Sequence, residues 1–248
     1  MKIESSGQSI SFGKRIDFHT HILPGIDDGS QDVGMSLEML AAEKDQRVDK
    51  IIATPHFYAK QDSIQKFLDR RQESYEKLMR SYSRETEQIP ILLGAEVYYF
   101  EGMGNASMIP KLCIEGTQTL LLEMPFRQWT SSMYEDVKKL VQTQHLTVIL
   151  AHLERFQPFQ RDLDNWNRIL KLGVLVQMNA GVFLNWKKRR QAVKLLKNVD
   201  TILMGSDCHN MDTRKPNLAA GREVIASKAG SEYITKSDEL AEEVLNER

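Results

Sequence analysis

The chain has 248 residues, of which 41% are hydrophobic and 27% are charged, and its formal net charge is −1. This length allows a single domain with a full core, and the near-neutral charge argues weakly against a protein that binds nucleic acid. Two cysteines, Cys113 and Cys208, cannot form a disulfide framework and are typical of a reducing compartment. Because no segment has the apolar length of a membrane helix or a secretory signal, we expect a cytoplasmic protein without membrane insertion.

Residues 1–14 are polar and precede the first apolar run, so they predict a flexible N-terminal arm before one domain over residues 15–248. Seven short apolar runs follow, spaced by roughly the length of a βα unit. Their continuous apolar character is typical of parallel strands that are covered on both faces. In chain order the runs span residues 15–21, 51–56, 92–97, 120–125, 148–152, 175–181 and 202–209.

Amphipathic stretches occupy most of the intervals between the runs and predict helices. They span residues 36–47, 63–85, 133–144, 163–172, 189–198 and 237–247. Residues 101–118 are the exception, because their glycines and proline predict an irregular connector. The basic run KKRR (187–190) precedes an amphipathic stretch and therefore predicts the solvated start of a helix. This alternation predicts an α/β fold, either a barrel or an open parallel sheet.

Residues that can bind metals stand at or near the end of six of the seven runs, and only the run 175–181 has no obvious ligand. Active sites of α/β folds form where the carboxyl ends of the strands converge. Five of the six histidines occupy such positions, and His145 is the exception. The candidate ligands are His19, His21, His56, Glu96, Glu123, His152, Asp207 and His209.

Each part of this pattern has a second interpretation. His19 and His21, two residues apart on a strand, face the same side, but buried histidines are often only hydrogen-bonded. Glu96 and Glu123 place carboxylates within or at the end of apolar strands, where either an ion pair or a metal could neutralise them. Carboxylates and imidazoles together, without thiolates, suit Mn²⁺, Fe²⁺ or Zn²⁺ better than Ca²⁺ or a structural zinc site.

The loop PGIDDG follows the first run and contributes Asp27 and Asp28. One of these acids is expected to serve the turn or cap the next helix. The other is positioned to reach back over the carboxyl ends of the strands.

Five motifs in this order resemble the PHP (polymerase and histidinol phosphatase) superfamily. The resemblance is greatest to its bacterial tyrosine-protein phosphatase branch of the CpsB/CapC type, which occurs with capsule and exopolysaccharide genes. It extends from about residue 15 to residue 230. The motifs are DFHTHILPGIDDGS (17–30), TPHF (54–57), GAEVYYF (94–100), AHLER (151–155) and GSDCHN (205–210).

The resemblance implies a distorted seven-stranded (β/α)7 barrel with three divalent ions, usually Mn²⁺, with Fe²⁺, Zn²⁺ and Mg²⁺ as alternatives. Grouped by ion, the implied ligands are His19, His21, Glu96 and Asp207; Glu96 again, Glu123 and His152; and Asp28, His56 and His209. One segment departs from the family pattern, because VFLNWKKRR (182–190) stands where relatives carry small residues. The shape of that rim loop is therefore not implied.

The chemistry expected of such a site is attack of a hydroxide on the phosphorus of a phosphomonoester. Arg155 and Arg214 are candidates to bind the phosphoryl oxygens, although either could instead form a surface salt bridge. A phenolate leaving group needs little protonation, so no general acid is assigned. Cys208 and Arg214 also match the C-x5-R pattern of thiol-based phosphatases, but Asp212 would make that loop a poor anion cradle. We therefore expect Cys208 to be a packing residue.

The leading hypothesis is a metal-dependent phosphatase that acts on phosphotyrosine in proteins, with a bacterial tyrosine autokinase of polysaccharide synthesis as its partner. The first rival is a small-molecule phosphomonoesterase such as a histidinol phosphatase. A PHP module that binds a partner without catalysis and a PHP-type nuclease are further alternatives.

Overall fold

The structure is a computed structural model, and it describes residues 13–84 and 86–246. Within these ranges strands and helices alternate as the sequence predicts. The strands are β1 (Ile16–Thr20), β2 (Lys50–Ala53), β3 (His56–Phe57), β4 (Ile91–Leu93), β5 (Glu96–Tyr98), β6 (Thr119–Glu123), β7 (Thr147–Leu150), β8 (Leu175–Asn179) and β9 (Ile202–Gly205). The helices are α1 (Val33–Asp45), α2 (Ile64–Tyr82), α3 (Ser131–Gln142), α4 (Asp164–Leu170), α5 (Ala180–Leu184), α6 (Arg189–Leu196), α7 (Leu218–Lys228) and α8 (Glu232–Asn246).

The nine strands correspond to the seven predicted runs, because two runs are each divided into two short strands. The strand order is β1–β2–β4 in one sheet and β3–β5–β6–β7–β8–β9 in the other, and all pairs are parallel. Pro55, which has no N–H, lies between β2 and β3. Backbone hydrogen bonds from Gly94 to Ala53 (2.8 Å) and from Glu96 to Pro55 (3.1 Å) continue the pairing across the division.

Backbone hydrogen bonds also join the carboxyl ends of β9 and β1. The N–H of Asp207 donates to the carbonyl of His19 (2.8 Å), and the N–H of His21 donates to the carbonyl of Cys208 (2.9 Å). The last strand of one sheet therefore lies against the first strand of the other. The fold agrees with the predicted distorted seven-stranded α/β barrel.

Two buried apolar clusters stabilise this arrangement. The smaller cluster joins side chains of six strands (β1, β2, β6, β7, β8 and β9) to Ala241 and Val244 of α8, and its strand members include Phe18, Ile52, Leu121, Ile149 and Leu203. The larger cluster lies between the strands and the surrounding helices. Burial of these side chains from water is the main contribution to the stability of the fold.

The six predicted helices are present, with ends that differ by a few residues. Two helices, α7 and the short α5, were not predicted. Gly221 lies within α7 and weakens its helical signal, yet a Cβ at this position would be 2.6 Å from the carbonyl oxygen of Ala180 in α5. The predicted irregular connector is correct in kind, because residues 101–118 contain only two short 3-10 turns.

The predicted N-terminal arm, residues 1–14, lies outside the described residues except for its last two. The N–H of Lys14 donates to Glu242 of α8 at 2.8 Å. Among the described residues, no helix has the length and apolar character needed to cross a membrane.

Candidate metal centre

The side chains predicted as ligands come from different strands and loops and meet at the carboxyl ends of the strands. Seven of the nine are buried: His19, His21, Glu96, Glu123, His152, Asp207 and His209. His56 is partly exposed, and the side chain of Asp28 is 66% exposed. The cluster is therefore open to solvent on the side of Asp28 and His56.

The imidazoles of His19 and His21 face each other through their Nε2 atoms, which are 3.1 Å apart. Nδ1 of His19 is 3.1 Å from Gln177 Oε1, and Nδ1 of His21 is 2.7 Å from Asp27 Oδ2. Because each Nδ1 faces an acceptor, the neutral imidazoles would carry their protons on Nδ1 and direct both Nε2 lone pairs to the same position. A cation at that position would satisfy them.

Glu96 lies at the centre of the cluster and connects its parts. Its Oε2 is 3.2 Å from Nε2 of His19 and 3.4 Å from Nε2 of His21. The same oxygen is 2.9 Å from Nδ1 of His56, while Oε1 is 2.8 Å from Nε2 of His152. One carboxylate thus contacts four imidazoles.

Three sets of side chains each bring their ligand atoms within 4.8 Å of one another. They are His21, Asp28, His56 and His209; His19, His21 and Asp207; and His56, Glu96 and Glu123. The sets overlap the three groups that the resemblance implies, but His152 belongs to none of them. Nε2 of His152 is nevertheless 2.8 Å from Glu96 and 3.4 Å from Glu123.

The residues present fit divalent cations. Nε2 of His209 is a buried nitrogen without a hydrogen-bond partner among the described residues, and such an atom is costly unless something satisfies it. Nε2 of His209 is directed to the cluster, 3.4 Å from Asp28 Oδ1. Imidazole and carboxylate ligands suit Mn²⁺, Fe²⁺ or Zn²⁺.

The model of the family described as "Capsular polysaccharide synthesis, CpsB/CapC" matches residues 15–242. The chain belongs to the CpsB/CapC family.

Relatives of this CpsB/CapC chain are similar over nearly their whole length. This chain is 25% identical to the tyrosine-protein phosphatase CpsB of Streptococcus agalactiae, over 88% of this chain and 92% of that protein. It is 26% identical to the tyrosine-protein phosphatase YwqE of Bacillus subtilis, covering 93% and 91%.

Solved structures agree with this assignment. A structure from a study of Bacillus subtilis YwqE and Streptococcus pneumoniae CpsB, described as metal-dependent tyrosine phosphatases, matches with a TM-score of 0.82. The identity is 25%, over 94% of this chain and 95% of that one. An amidohydrolase from Pseudomonas aeruginosa shares the fold at a TM-score of 0.54 and 12% identity, over 95% and 96% of the two chains.

Three polar residues of this CpsB/CapC chain orient the candidate ligands. Asp27 was named from the sequence only as one of the two acids of the loop PGIDDG, and Gln177 and Asn179 were not predicted. Asp27 accepts a hydrogen bond from the N–H of His56 (3.0 Å) besides its contact with His21. Gln177 accepts one from the N–H of His152 (2.7 Å), and Asn179 Nδ2 donates to Asp207 (2.8 Å). The signal for the last two was the polar pair within the apolar run 175–181.

Carboxylates control the protonation of the buried imidazoles. Burial opposes a proton on His21, but Asp27 and Glu96 outweigh it and raise the pKa of His21 to about 10. Burial likewise opposes a proton on His152, and Glu123 and Glu96 raise its pKa to about 9. These carboxylates therefore favour positive charge on His21 and His152, whereas burial and the nearby His21 lower the pKa of His209 to about 3.

Arg155 and Arg214 lie beside the cluster, and both donate to Asp207. Nη2 of Arg155 contacts Oδ2, and Nη2 of Arg214 is 2.7 Å from Oδ1. Burial would raise the pKa of Asp207, but His19 and Arg155 hold it below its usual range. The two guanidiniums are 38% and 35% exposed and border a cavity of about 620 Å³. Their partner is a predicted ligand, so neither forms an ordinary surface salt bridge.

The backbone is strained at two predicted ligands. His152 has a φ of 29° and Asp207 a φ of 54°, values that non-glycine residues seldom adopt. Strain of this kind is concentrated at functional sites, where the surrounding structure enforces it.

Cys208 lies away from the cavity. Its side chain is fully buried, and Sγ is 3.8 Å from Oε1 of Glu43. Burial, with the nearby carboxylates of Glu43 and Asp17, raises the pKa of the thiol far above its usual range. A buried, protonated thiol is not a nucleophile, as the sequence led us to expect.

Proposed function

We propose that this chain is a metal-dependent protein-tyrosine phosphatase that hydrolyses the phosphate ester of phosphotyrosine. The observation that carries the proposal is the convergence of nine imidazole and carboxylate side chains beside two partly exposed arginines. The tyrosine-protein phosphatase names of its relatives support the substrate class.

The proposed metal ligands are the nine residues named from the sequence, and the proposed metals are three divalent ions, with Mn²⁺ as the first candidate. When bound, such ions provide Lewis-acid stabilisation of phosphoryl oxygens and a nucleophile derived from water at neutral pH. Glu96 would contribute to two of the ligand groups, because its two oxygens face different imidazoles.

Arg155 and Arg214 are proposed to bind the phosphoryl oxygens. Both guanidiniums stand between the cluster and the cavity, and each has further N–H groups besides the one that contacts Asp207. Guanidinium groups match the oxygens of a phosphoryl group in geometry and charge. Asp207 keeps both side chains in place before the substrate binds.

An aromatic wall lies next to this position. The ring of Phe126 is 40% exposed and stacks on His152 with centroids 6.1 Å apart and an angle of 14°. Phe159 meets the ring of Phe126 edge-on, with centroids 5.8 Å apart. An exposed ring beside the reacting phosphate favours an aromatic ester over an alkyl phosphate.

The family description refers to capsular polysaccharide synthesis. On this basis we propose that the physiological substrate is a phosphorylated tyrosine autokinase that controls polysaccharide synthesis, and that the reaction takes place in the cytoplasm.

Phosphate release from a phosphotyrosine peptide tests this function. The protein is stripped with a chelator and assayed with and without added Mn²⁺, with a parallel sample treated with a thiol alkylator. We expect activity to be lost on stripping, restored by Mn²⁺ and insensitive to alkylation. Histidinol phosphate is assayed beside the peptide. A higher kcat/KM for histidinol phosphate would favour the small-molecule phosphatase, and no turnover of either substrate would contradict both.

A further inference from the structure

A strongly basic segment borders the cavity beside the metal centre. Residues 181–199, which we name the basic segment, contain six Lys or Arg residues and no Asp or Glu. The whole chain has a net charge of −1, so this charge is a local concentration. The six residues are Lys187, Lys188, Arg189, Arg190, Lys194 and Lys197. None of them forms a salt bridge with any residue that the structure describes.

The positive charges at the start of α6 do not stabilise this helix. This helix begins at Arg189, directly after two lysines, and its first turn contains no acidic residue. Cations at the N-terminus of a helix oppose the helix dipole and destabilise the helix. Only Arg189 has an evident structural role, because it donates to the carbonyl groups of Phe183 and Leu184. The other exposed cations remain available for a partner.

The basic segment and the metal centre share one cavity. Lys188 and Gln191 line the cavity of about 620 Å³ that also reaches Arg155 and Asp207. This volume lies within the range of ligand-binding pockets. Side-chain amides are common along its walls, and they can bond with the polar groups of a peptide backbone. A phosphotyrosine bound at the metal centre would place its neighbouring residues in this cavity.

Exposed apolar side chains accompany the charges. Trp186 is 77% exposed and Leu184 is 39% exposed, and Nζ of Lys187 is 5.3 Å from the ring of Trp186. Phe159, which lines the cavity, is 43% exposed. Exposed aromatic side chains next to cations are typical anchors in protein–protein contacts.

We infer that the basic segment binds acidic residues that flank the phosphotyrosine in the substrate protein. This inference rests on the proposed function, because it assigns neighbours of the same phosphotyrosine. The ligand that we infer for the basic segment is a negatively charged peptide, because the cations of this segment form no salt bridges with the described residues. A membrane surface with anionic lipids could attract the same charges, but the wall shared with the metal centre favours the peptide.

Matched substrates test the inference. Two phosphotyrosine peptides are compared, one with glutamates around the phosphotyrosine and one with glutamines at the same positions, with free phosphotyrosine as the reference. We expect kcat/KM to be about 10-fold higher for the glutamate peptide, because three exposed ion pairs each contribute a small amount. The preference should decrease as NaCl is added.

Variants locate the effect. In Lys187→Gln/Lys188→Gln/Arg190→Gln, the preference for the glutamate peptide should fall to near one. The control Lys77→Gln/Arg80→Gln/Lys228→Gln removes the same charge from exposed positions near the ends of α2 and α7. It should keep both the preference and the turnover of free phosphotyrosine. A preference that survives in the first variant, or is lost in the control, would overturn the inference.

Trp186 provides a readout that needs no catalysis. The other two tryptophans, Trp129 and Trp166, are buried, at 1% and 5% exposure. A glutamate-rich peptide without phosphotyrosine should therefore change the fluorescence of Trp186, and Trp186→Phe should abolish the change.

The two readouts separate failure of the inference from failure of the proposed function. If neither free phosphotyrosine nor either peptide is hydrolysed, the proposed function fails, while the fluorescence titration still tests the basic segment. If free phosphotyrosine is hydrolysed but the two peptides are equivalent and the fluorescence is unchanged, the inference alone is wrong. Binding to vesicles of phosphatidylglycerol and phosphatidylcholine through the same three cations, without discrimination between the peptides, would assign the segment to a membrane and overturn the inference.

Discussion

At the scale of single residues, Glu96 has the largest share of the cluster's contacts. It is 1% exposed and contacts four imidazoles, and those contacts hold its pKa well below the usual range despite its burial. Glu96→Gln keeps the shape of the side chain and removes its charge. We expect phosphatase activity to fall on the order of 100-fold or more, because the central anionic ligand is lost.

Initial rates on a phosphotyrosine peptide at saturating Mn²⁺ measure this change. Cys208→Ser serves as the control, since its side chain is buried away from the cavity, and it should retain most of the activity. Near-normal activity in Glu96→Gln would contradict the metal assignment, and loss of activity in a folded Cys208→Ser would contradict the assignment of the thiol.

A substitution at Asp27 tests whether the orientation of His21 affects the affinity for metal. The carboxylate of Asp27 fixes Nδ1 of His21 at 2.7 Å and is held by the N–H of Gly29 at 2.9 Å. Asp27→Asn should weaken Mn²⁺ binding by about 10- to 100-fold, the usual effect of removing a residue that orients a ligand. Calorimetric titration of the stripped protein with Mn²⁺ measures the affinity, with the exposed Asp45→Asn as the matched control. Equal affinities in the two variants would show that Asp27 does not orient His21.

Eight of the nine candidate ligands could be named from the sequence because each stands at or near the end of an apolar run, and Asp28 comes from the loop PGIDDG. The residues that orient them could not be predicted in the same way. Gln177 is 158 positions from His19 along the chain, and only the neighbouring positions of β8 and β9 in the sheet bring it to the cluster. Of the two acids in PGIDDG, the structure places Asp28 in the cluster and Asp27 behind it. The loop pattern alone left that choice open.

At the scale of secondary structure elements, the close approach of β9 to β1 depends on a glycine. A Cβ at Gly205 would be 2.7 Å from Cβ of His19 and 2.8 Å from Nε2 of Gln177. Gly205→Ala should destabilise the protein by about 1–3 kcal/mol, the usual result of overpacking a dense interior. It should also weaken Mn²⁺ binding, because His19 must shift.

Urea unfolding with and without Mn²⁺ measures both effects of Gly205→Ala. Gly94→Ala is the matched control at the division between β4 and β5. Its added Cβ would meet Ile52, Thr54 and Ile114 at an ordinary contact distance of 3.4 Å. Equal destabilisation by the two substitutions would show that the approach of β9 to β1 is not especially tight.

Strand positions were predictable from hydrophobicity, whereas strand divisions were not. The runs 51–56 and 92–97 are each continuous in apolar character, yet Pro55 and the Gly94–Ala95 pair interrupt them. The interruption leaves β3 with only two residues, and His56 at its start lies in register with Glu96. The division that hydrophobicity did not reveal therefore positions two predicted ligands side by side.

At the scale of the whole molecule, a net charge of −1 conceals two separate regions of charge. The candidate metal centre gathers carboxylates and imidazoles, and the basic segment gathers cations without salt bridges to any described residue, of which Lys188 lines the same cavity. The near-neutral composition argues only against a general affinity for polyanions and does not reveal a local concentration of charge. The interpretation of KKRR as a solvated helix start describes its exposure but not its place beside the cavity, which depends on the packing of α5 and α6.

The metal centre also couples the stability of the whole molecule to pH. In the stripped protein, His21 and His152 have pKa values of about 10 and about 9, above the value near 6.5 of an unfolded chain. Protonation of these two imidazoles therefore stabilises the folded state. This contribution is fully present below about pH 6.5 and is lost as the pH rises through the folded-state pKa values. Because Mn²⁺ must displace these protons, its affinity should increase with pH.

Thermal unfolding with and without excess Mn²⁺, at pH 6.5 and at pH 8.0, measures this coupling. A metal ion that binds only the folded state adds about 2.7 kcal/mol of stability when its free concentration is about 100 times its Kd. The melting temperature should therefore rise by several degrees. We expect the rise at one fixed Mn²⁺ concentration to be larger at pH 8.0 than at pH 6.5. Glu96→Gln should reduce it at both pH values. A rise that is the same at both pH values would show that metal binding does not displace protons from His21 and His152.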